Sequence, residues 1–261
     1  MFLMTIDFDS RFQNKIKSNN SKLDFNYINY FKLDLEFTAF VRHDDQVNYQ
    51  EILEKIKLKE VGWHPHFFIN NSLIKSIDYL NDKISSAIEQ IPINFKSVRI
   101  GGCQGDENTF KILKNKFNVD STPMSKSKRK DEFGWYDWSF YESKSYFLNN
   151  FFQLPITTIY CKTNYDSKKK LRYLNPCYNH DFFKKTIEEN FFYLVDLEYI
   201  MLVSHADEIC TDYKDDLLLC GYDNFYKNIN YLNKKFNYEF FTLQNYRNWW
   251  IDKQGNADRS K

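Results

Sequence analysis

The sequence predicts an α/β fold built on a largely parallel sheet. Strand-like apolar runs alternate with amphipathic helical stretches along most of the 261 residues, and that alternation requires helical crossovers between parallel strands. Polar residues suited to catalysis or metal binding repeatedly stand where those apolar runs stop. Ligands in barrels and open α/β sheets gather at the carboxyl ends of strands, so this placement also points to where a site belongs.

The first strand is Phe2–Phe8, apolar except for Thr5 and Asp7. A second spans 34–42, where Leu35, Phe37, Ala39 and Val41 alternate with Glu36, Thr38, Phe40 and Arg42. A helix is expected over 48–58, a short strand over 61–66, and a helix over 73–91 with apolar residues at 73, 74, 77, 80, 84, 88 and 91. Residues 97–101 read as a strand that carries Arg99 and ends at the Gly101-Gly102 pair. A helix over 108–117 and the start of a strand at 119–121 follow. Segment 122–155, rich in aromatic and charged residues, suits a long irregular loop over a site. Strands at 154–159 and 199–204 flank a helix over 180–190, and a helix over 225–235 precedes a polar tail. No repeat or linker divides the chain, so one domain is expected, with 236–261 as a C-terminal extension.

Charge is balanced at 36 basic against 35 acidic residues, which gives no net field suited to nucleic acid or an anionic membrane. The runs Lys126-Ser127-Lys128-Arg129-Lys130 and Lys168-Lys169-Lys170 read as solvated loops. Heavy use of Asn, Lys, Phe, Tyr and Ile makes the 19% aromatic content a compositional bias rather than a stacking surface. The most apolar window, 191–203, is interrupted by Asp196 and Glu198 and is too short to span a bilayer. The start lacks the pattern of a signal peptide. Five scattered cysteines with no C-x-x-C pair argue against a disulfide framework. The expectation is a soluble, reduced, cytoplasmic protein.

Five histidines are present, two of them in His64-Pro65-His66. Side chains two apart on a strand share a face, which pairs His64 with His66 and Asp7 with Asp9. Pro65 cannot donate to a ladder, so the histidine pair belongs at a strand end or edge. Two imidazoles and a carboxylate suit zinc or a similar divalent ion. Each residue also has a bland reading: strand-end carboxylates capping loops, histidines bonded to backbone, a surface His205 at a helix start beside Asp207 and Glu208, an Arg99 in a structural ion pair. His43 ends a strand and lines a site only on the less favoured reading. His180 reads as structural, and Cys103, with no positioned base, as a packing residue.

Taken in order, these residues resemble the polysaccharide deacetylases of the NodB-homology type, carbohydrate esterase family 4, in a divergent branch. Thr5-Ile6-Asp7-Phe8-Asp9 is similar to the family's opening Thr-Phe-Asp-Asp motif, and Gly62-Trp63-His64-Pro65-His66 to its histidine pair. Arg99-Ile100-Gly101-Gly102 resembles its strand-end arginine, Asp137-Trp138-Ser139 its Asp-Trp motif, and Leu202-Val203-Ser204-His205 its closing Leu-x-His. The resemblance covers about residues 1–210. Two departures stand out: Phe8 replaces the usual second carboxylate, and the histidines are two apart rather than four.

The resemblance implies a distorted (β/α) barrel of about seven parallel strands and a metal-dependent deacetylation of an N-acetylated sugar. Asp9, His64 and His66 would hold a divalent ion, most simply zinc. Asp7 would be the general base, Arg99 would fix its orientation, and His205 would protonate the leaving amine. Asp137 would hold Arg99, and Trp138 would pack beside the sugar. With no export signal expected, the substrate would be a lipid-linked or nucleotide-linked precursor of surface polysaccharide, leaving open a peripheral contact with a lipid carrier. The alternatives are a non-catalytic sugar-binding or assembly protein that retains the fold, and an amide hydrolase acting on a non-sugar substrate.

Overall fold

The computed structural model describes residues 1–9, 31–42, 54, 60–69, 72–73, 76–91, 94–131 and 134–259. The first strands are β1 (Phe2–Phe8), β2 (Thr38–Val41), β3 (Glu60–Trp63), β4 (Phe68–Ile69), β5 (Ser72–Leu73), β6 (Ser97–Val98) and β7 (Val119–Asp120). They are followed by β8 (Ser127–Asp131), β9 (Gly134–Trp138), β10 (Tyr146–Leu148), β11 (Phe151–Gln153), β12 (Thr158–Cys161), β13 (Lys170–Tyr173), β14 (Ile200–His205) and β15 (Phe240–Phe241). Helices are α1 (Ile77–Ile88), α2 (Glu107–Leu113), α3 (His180–Glu189), α4 (Phe191–Val195), α5 (Ala206–Cys210), α6 (Tyr222–Phe236) and α7 (Leu243–Arg259). The helix expected over 48–58 and His43 lie outside the described residues, Glu54 excepted.

The main sheet has the order β10-β11-β7-β6-β3-β2-β1-β14. Seven of these strands, β11 through β14 in that order, pair parallel to their neighbours, and β10 runs antiparallel at the far edge. Successive strands step one way across the sheet until the chain returns to lay β14 against β1. The result is a curled half-barrel. The barrel-like sheet has an open seam: among the described residues the ladder stops at β14 on one side and at β10 on the other. The free edge of β14 is stitched by other means. Tyr199 Oη donates to Pro155 O (2.7 Å), Met201 N to Thr157 Oγ1 (2.9 Å) and Val203 N to Leu174 O (2.9 Å). Buried edge amides need partners, and these segments supply them.

Period-two alternation sorts each strand into an outer and an inner row. On β1, Phe2, Met4, Ile6 and Phe8 join the outer core, with residues of α3, α4 and α6. Leu3 instead joins Phe40, Val119, Phe152, Tyr199, Met201 and Val203 in the interior. Register pairs Leu3 with Met201, Thr5 with Val203 and Asp7 with His205, so the inner rows of β1 and β14 both run from apolar below to polar at the carboxyl rim. A second outer core packs Trp63, Val98, Ile100 and Phe117 against Leu80, Ile84 and Ile88 of α1 and Phe110 and Leu113 of α2. The i, i+4, i+8 spacing on α1 is the stripe that the sequence shows, and Ser76 caps the helix by accepting from Tyr79 N.

Two segments differ from expectation. The polar tail is the floor of the barrel: β15 pairs with Phe2 and Leu3, and Leu243 and Tyr246 of α7 are fully buried in the interior core. The first amides of α7 are satisfied from the strands above, Leu243 N by Thr38 Oγ1 and Gln244 N by Glu60 Oε2, each at 2.9 Å. Segment 122–155 is not an irregular loop but contains the hairpin β8–β9 and the strand pair β10–β11. Ser127, Lys128, Arg129 and Lys130 are polar on both faces of β8, which erases the alternation that would have revealed a strand.

Asp120, on β7 beside its register partner Gln153, lies completely buried. Its Oδ1 accepts from Thr122 N (2.9 Å), while Oδ2 and both polar atoms of the Gln153 side chain have no hydrogen-bond partner. Burial pushes its carboxyl pKa up to about 7 from an ordinary 3.8. A raised folded-state pKa means stability is complete at low pH and is lost as pH rises from about 4 through about 7. Asp120→Asn keeps the Thr122 acceptor and offers an amide to Gln153. It should leave stability unchanged below pH 4 and raise it above pH 7, by at most about 4 kcal/mol. Urea unfolding at pH 4 and pH 8.5 checks this. An Asn–Asp difference that does not change with pH would contradict it.

Candidate metal centre and active-site cleft

Six polar side chains meet at the carboxyl rim. Asp7 ends the inner row of β1, and Asp9 follows two residues on. His64 continues β3, its amide donating to Val41 O (2.9 Å) as the strand hydrogen bonding gives out. Pro65 ends the ladder there, and its carbonyl accepts from Gly101 N (2.8 Å), tying the histidine turn to the segment after β6. Arg99 follows β6, and His205 closes β14.

Three of these residues form a compact group: one ligand atom each from Asp9, His64 and His66 lies within 4.8 Å of the others. His66 Nε2 is 3.0 Å from both His64 Nε2 and Asp9 Oδ2, and His64 Nε2 is 3.7 Å from Asp9 Oδ2. Ligands about 2.0–2.2 Å from a tetrahedral ion stand about 3.3–3.6 Å from one another, and the observed spacings bracket that range. The His64 tautomer fits the same role. His64 Nδ1 lies 2.7 Å from Arg99 O, a pure acceptor, so Nδ1–H donates there and Nε2 is the atom turned toward His66 and Asp9. Burial holds the His66 imidazole below its usual pKa, which keeps it available as a ligand. Asp9 Oδ1 is buried without a hydrogen-bond partner. For the Asp9 carboxylate, burial alone would favour protonation, but the charge of His205 and contacts from His64 and His66 outweigh it and hold the pKa well below the usual range. The donor set therefore fits a divalent ion.

Asp7 borders the same group, its Oδ2 3.8 Å from His64 Nε2, and is held on its other side by an arginine. Arg99, only 2% exposed, places Nη1 2.9 Å from Asp7 Oδ1. The guanidinium is itself held by Ser121, Nε donating to the carbonyl (3.2 Å) and Nη2 to Oγ (3.0 Å), and it lies over the Phe40 ring at 4.4 Å. Asp137 does not hold Arg99. It is exposed and bonded to Ser139, and Trp138 is buried in the outer core, stacked on Phe110 with Nε1 donating to Cys103 O (2.7 Å). Both border a different surface depression, so neither belongs to this cleft. The β8–β9 pairing explains the error: Asp137 pairs across from Lys128 on the face turned away from Arg129 and Tyr136, which do line the cleft.

His205 stands across the rim, Nε2 3.6 Å from Asp9 Oδ1. It is no surface histidine, because Asp207 and Glu208 are themselves buried. Glu208 Oε2 accepts from His205 N (3.0 Å), Asn175 Nδ2 (2.8 Å) and Ser204 Oγ (3.2 Å), and lies 3.4 Å from His205 Nδ1. Burial works against a charged His205, but Glu208 and Asp9 outweigh it and hold the imidazolium pKa well above its usual value. Neither Glu208 nor Ser121 was singled out from the sequence. The His205-x-x-Glu208 spacing is a capping-box signature that could have flagged the first. Cys103 lines the cleft, but burial pushes its thiol up to about 11, which suits packing better than attack. His180 opens α3 with Nδ1 2.7 Å from Asn228 Oδ1, a structural contact away from the rim.

Gly101 makes the histidine cluster possible. A Cβ there would lie 2.5 Å from His66 Nε2, closer than any side chain tolerates. Gly101→Ala should therefore swing His66 out of the group and weaken metal binding by about 10- to 100-fold, the usual cost of disturbing a ligand's support. Titration of the apoprotein with zinc checks this, and an affinity equal to the parent's would show that His66 is not a ligand.

The six residues floor a cleft of about 430 Å³, on the scale of small-molecule sites. Fold and site together define an α/β half-barrel with a histidine–carboxylate group, able to hold a metal ion, at the carboxyl rim of its parallel strands. No family model, curated protein or solved structure matches this chain. Among the described residues no helix is long and apolar enough to cross a membrane.

Proposed function

We propose that the protein is a metal-dependent hydrolase that removes the acetyl group from an N-acetylated sugar, with the fold and mechanism of a divergent polysaccharide deacetylase. The observation that carries this is the division of labour between two carboxylates on one rim. Asp9 is part of the compact histidine group, and Asp7, 3.8 Å from His64 Nε2, is held by its ion pair with Arg99.

Asp9, His64 and His66 would hold the ion, most simply zinc, which when bound polarises the acetamide carbonyl and acidifies a water. Asp7 takes a proton from the attacking water as its oxygen bonds to the carbonyl carbon. Arg99, gripped by Ser121, keeps that carboxylate aimed. His205 delivers a proton to the amide nitrogen as the C–N bond breaks, releasing acetate and a free amine. Glu208 keeps His205 protonated and oriented for that transfer. The five cysteines are thiols rather than disulfides, which is in keeping with action on a cytoplasmic precursor.

The test is metal analysis of the purified protein together with acetate release from N-acetylhexosamine conjugates. One ion per chain and metal-dependent acetate release are expected. Full metal loading with no release from any acetamido sugar would overturn the sugar-deacetylase reading.

A further inference from the structure

We propose that Asn175 is a positioning residue for the proton donor His205, acting through the Glu208 carboxylate. The proposal rests on reading His205 as that donor. Asn175 opens the segment Asn175-Pro176-Cys177-Tyr178, whose Asn-Pro start is a turn signal. Asn175 O accepts from Tyr178 N (3.0 Å), and the side chain folds back on the same turn, Oδ1 accepting from Cys177 N (2.8 Å). A backbone N–H can only donate, so Oδ1 is the atom that faces it and the amide has one orientation. Nδ2 is thereby aimed at Glu208 Oε2, 2.8 Å away, with both residues fully buried.

A carboxylate buried this completely has to be met by donors. Glu208 Oε2 receives Asn175 Nδ2, His205 N (3.0 Å) and Ser204 Oγ (3.2 Å), the Ser204 proton being shared with Asn175 Oδ1 (3.1 Å). His205 and Ser204 are local to α5 and the end of β14; of these three donors, Asn175 is the one that reaches in from another segment. It therefore fixes which way the carboxylate turns, and keeps Oε2 3.4 Å from His205 Nδ1. Asn175 is braced in turn from α6. Asn228 Nδ2 donates to Pro176 O and Tyr178 O, both at 2.8 Å, and Asn224 Nδ2, one helical turn earlier, donates to Tyr178 O at 2.9 Å. The setting of His205 thus descends through a chain of made contacts, from α6 to the turn, to Glu208, to the imidazole.

The experiment separates positioning of His205 from support of the turn. Asn175→Asp keeps an acceptor for Cys177 N and Ser204 Oγ, so a role confined to the turn survives it. It also sets a carboxylate oxygen where Nδ2 met Glu208, and two adjacent buried carboxylates cannot both stay ionised. A second protein combines Asn175→Asp with Glu208→Gln. That pair restores an amide–carboxylate contact with its ends exchanged, which preserves the fold if the single variant loses it, but moves the charge off the atom that faces His205. Circular dichroism verifies folding and elemental analysis verifies zinc content. Two readouts are then taken on the full chain with zinc added: acetate release from N-acetylhexosamine conjugates, and the His205 ring resonances by NMR. Both proteins should keep zinc and show shifted His205 resonances. Their kcat should fall by about 10- to 100-fold with KM little changed, the usual cost of losing a group that orients another. Parent-like kcat with parent-like resonances in either protein would overturn the proposal. The resonances need no turnover, so shifted resonances in a chain that releases no acetate would keep Asn175 as the residue that sets His205 and reject the proposed reaction. Acetate release at the parent's rate from the exchanged pair would keep the reaction and reject the Asn175 role.

Discussion

His64→Ala and His66→Ala should each lower metal affinity by at least about a hundredfold, because each removes one of three protein donors rather than a group behind a donor. His64→Ala should be the more damaging. It is the more buried of the two, and its Nδ1 contact with Arg99 O links the ion to the segment that positions Asp7. Elemental analysis after dialysis against a weak chelator, with circular dichroism to verify folding, reads this directly. Metal content unchanged in both variants would reject Asp9, His64 and His66 as the ligand group.

A second large effect is expected on turnover. Asp7→Asn should leave the ion bound, since Asp7 stands outside the histidine group, yet lower kcat by about 10²- to 10⁴-fold through loss of the general base. Asparagine still offers an oxygen to Arg99 Nη1, which limits the cost of uncovering a buried guanidinium. Asp7→Ala offers nothing and should also destabilise the fold by about 3–5 kcal/mol. His205→Ala should lower kcat by a similar factor with little change in KM, because its proton is needed only as the amine departs. Steady-state kinetics with acetate release as the readout separates these cases. Near-parent kcat in both Asp7→Asn and His205→Ala would place the chemistry on other groups.

The candidate site was largely legible because its residues obey local rules. Asp7 and Asp9 share a face by period two, Pro65 forces the histidines off the ladder, and Arg99 and His205 end strand-like runs; the structure brings all six to one rim. The failures share a different cause. Motif order pairs Asp137 with Arg99, but which face of β8–β9 points inward depends on where that hairpin docks. A run of five polar residues carries no alternation, so the sequence alone leaves Arg129 in solvent. Segment 236–261 read as a tail because the apolar residues of α7 are few, and only the open floor of a barrel gives Leu243 and Tyr246 somewhere to go.

By itself the sequence determined the parallel α/β pattern, the strand ends that bear function and the histidine–carboxylate set, since each depends on residues within a few positions of one another. The open seam, the α7 floor, the hold of Ser121 on Arg99 and of Glu208 on His205, and the place of Arg129 in the lining of the cleft were decided by tertiary structure. These follow from which strand edges and buried charges are left needing partners once the sheet has curled, and such demands are met by residues as far apart as Leu243 and Thr38.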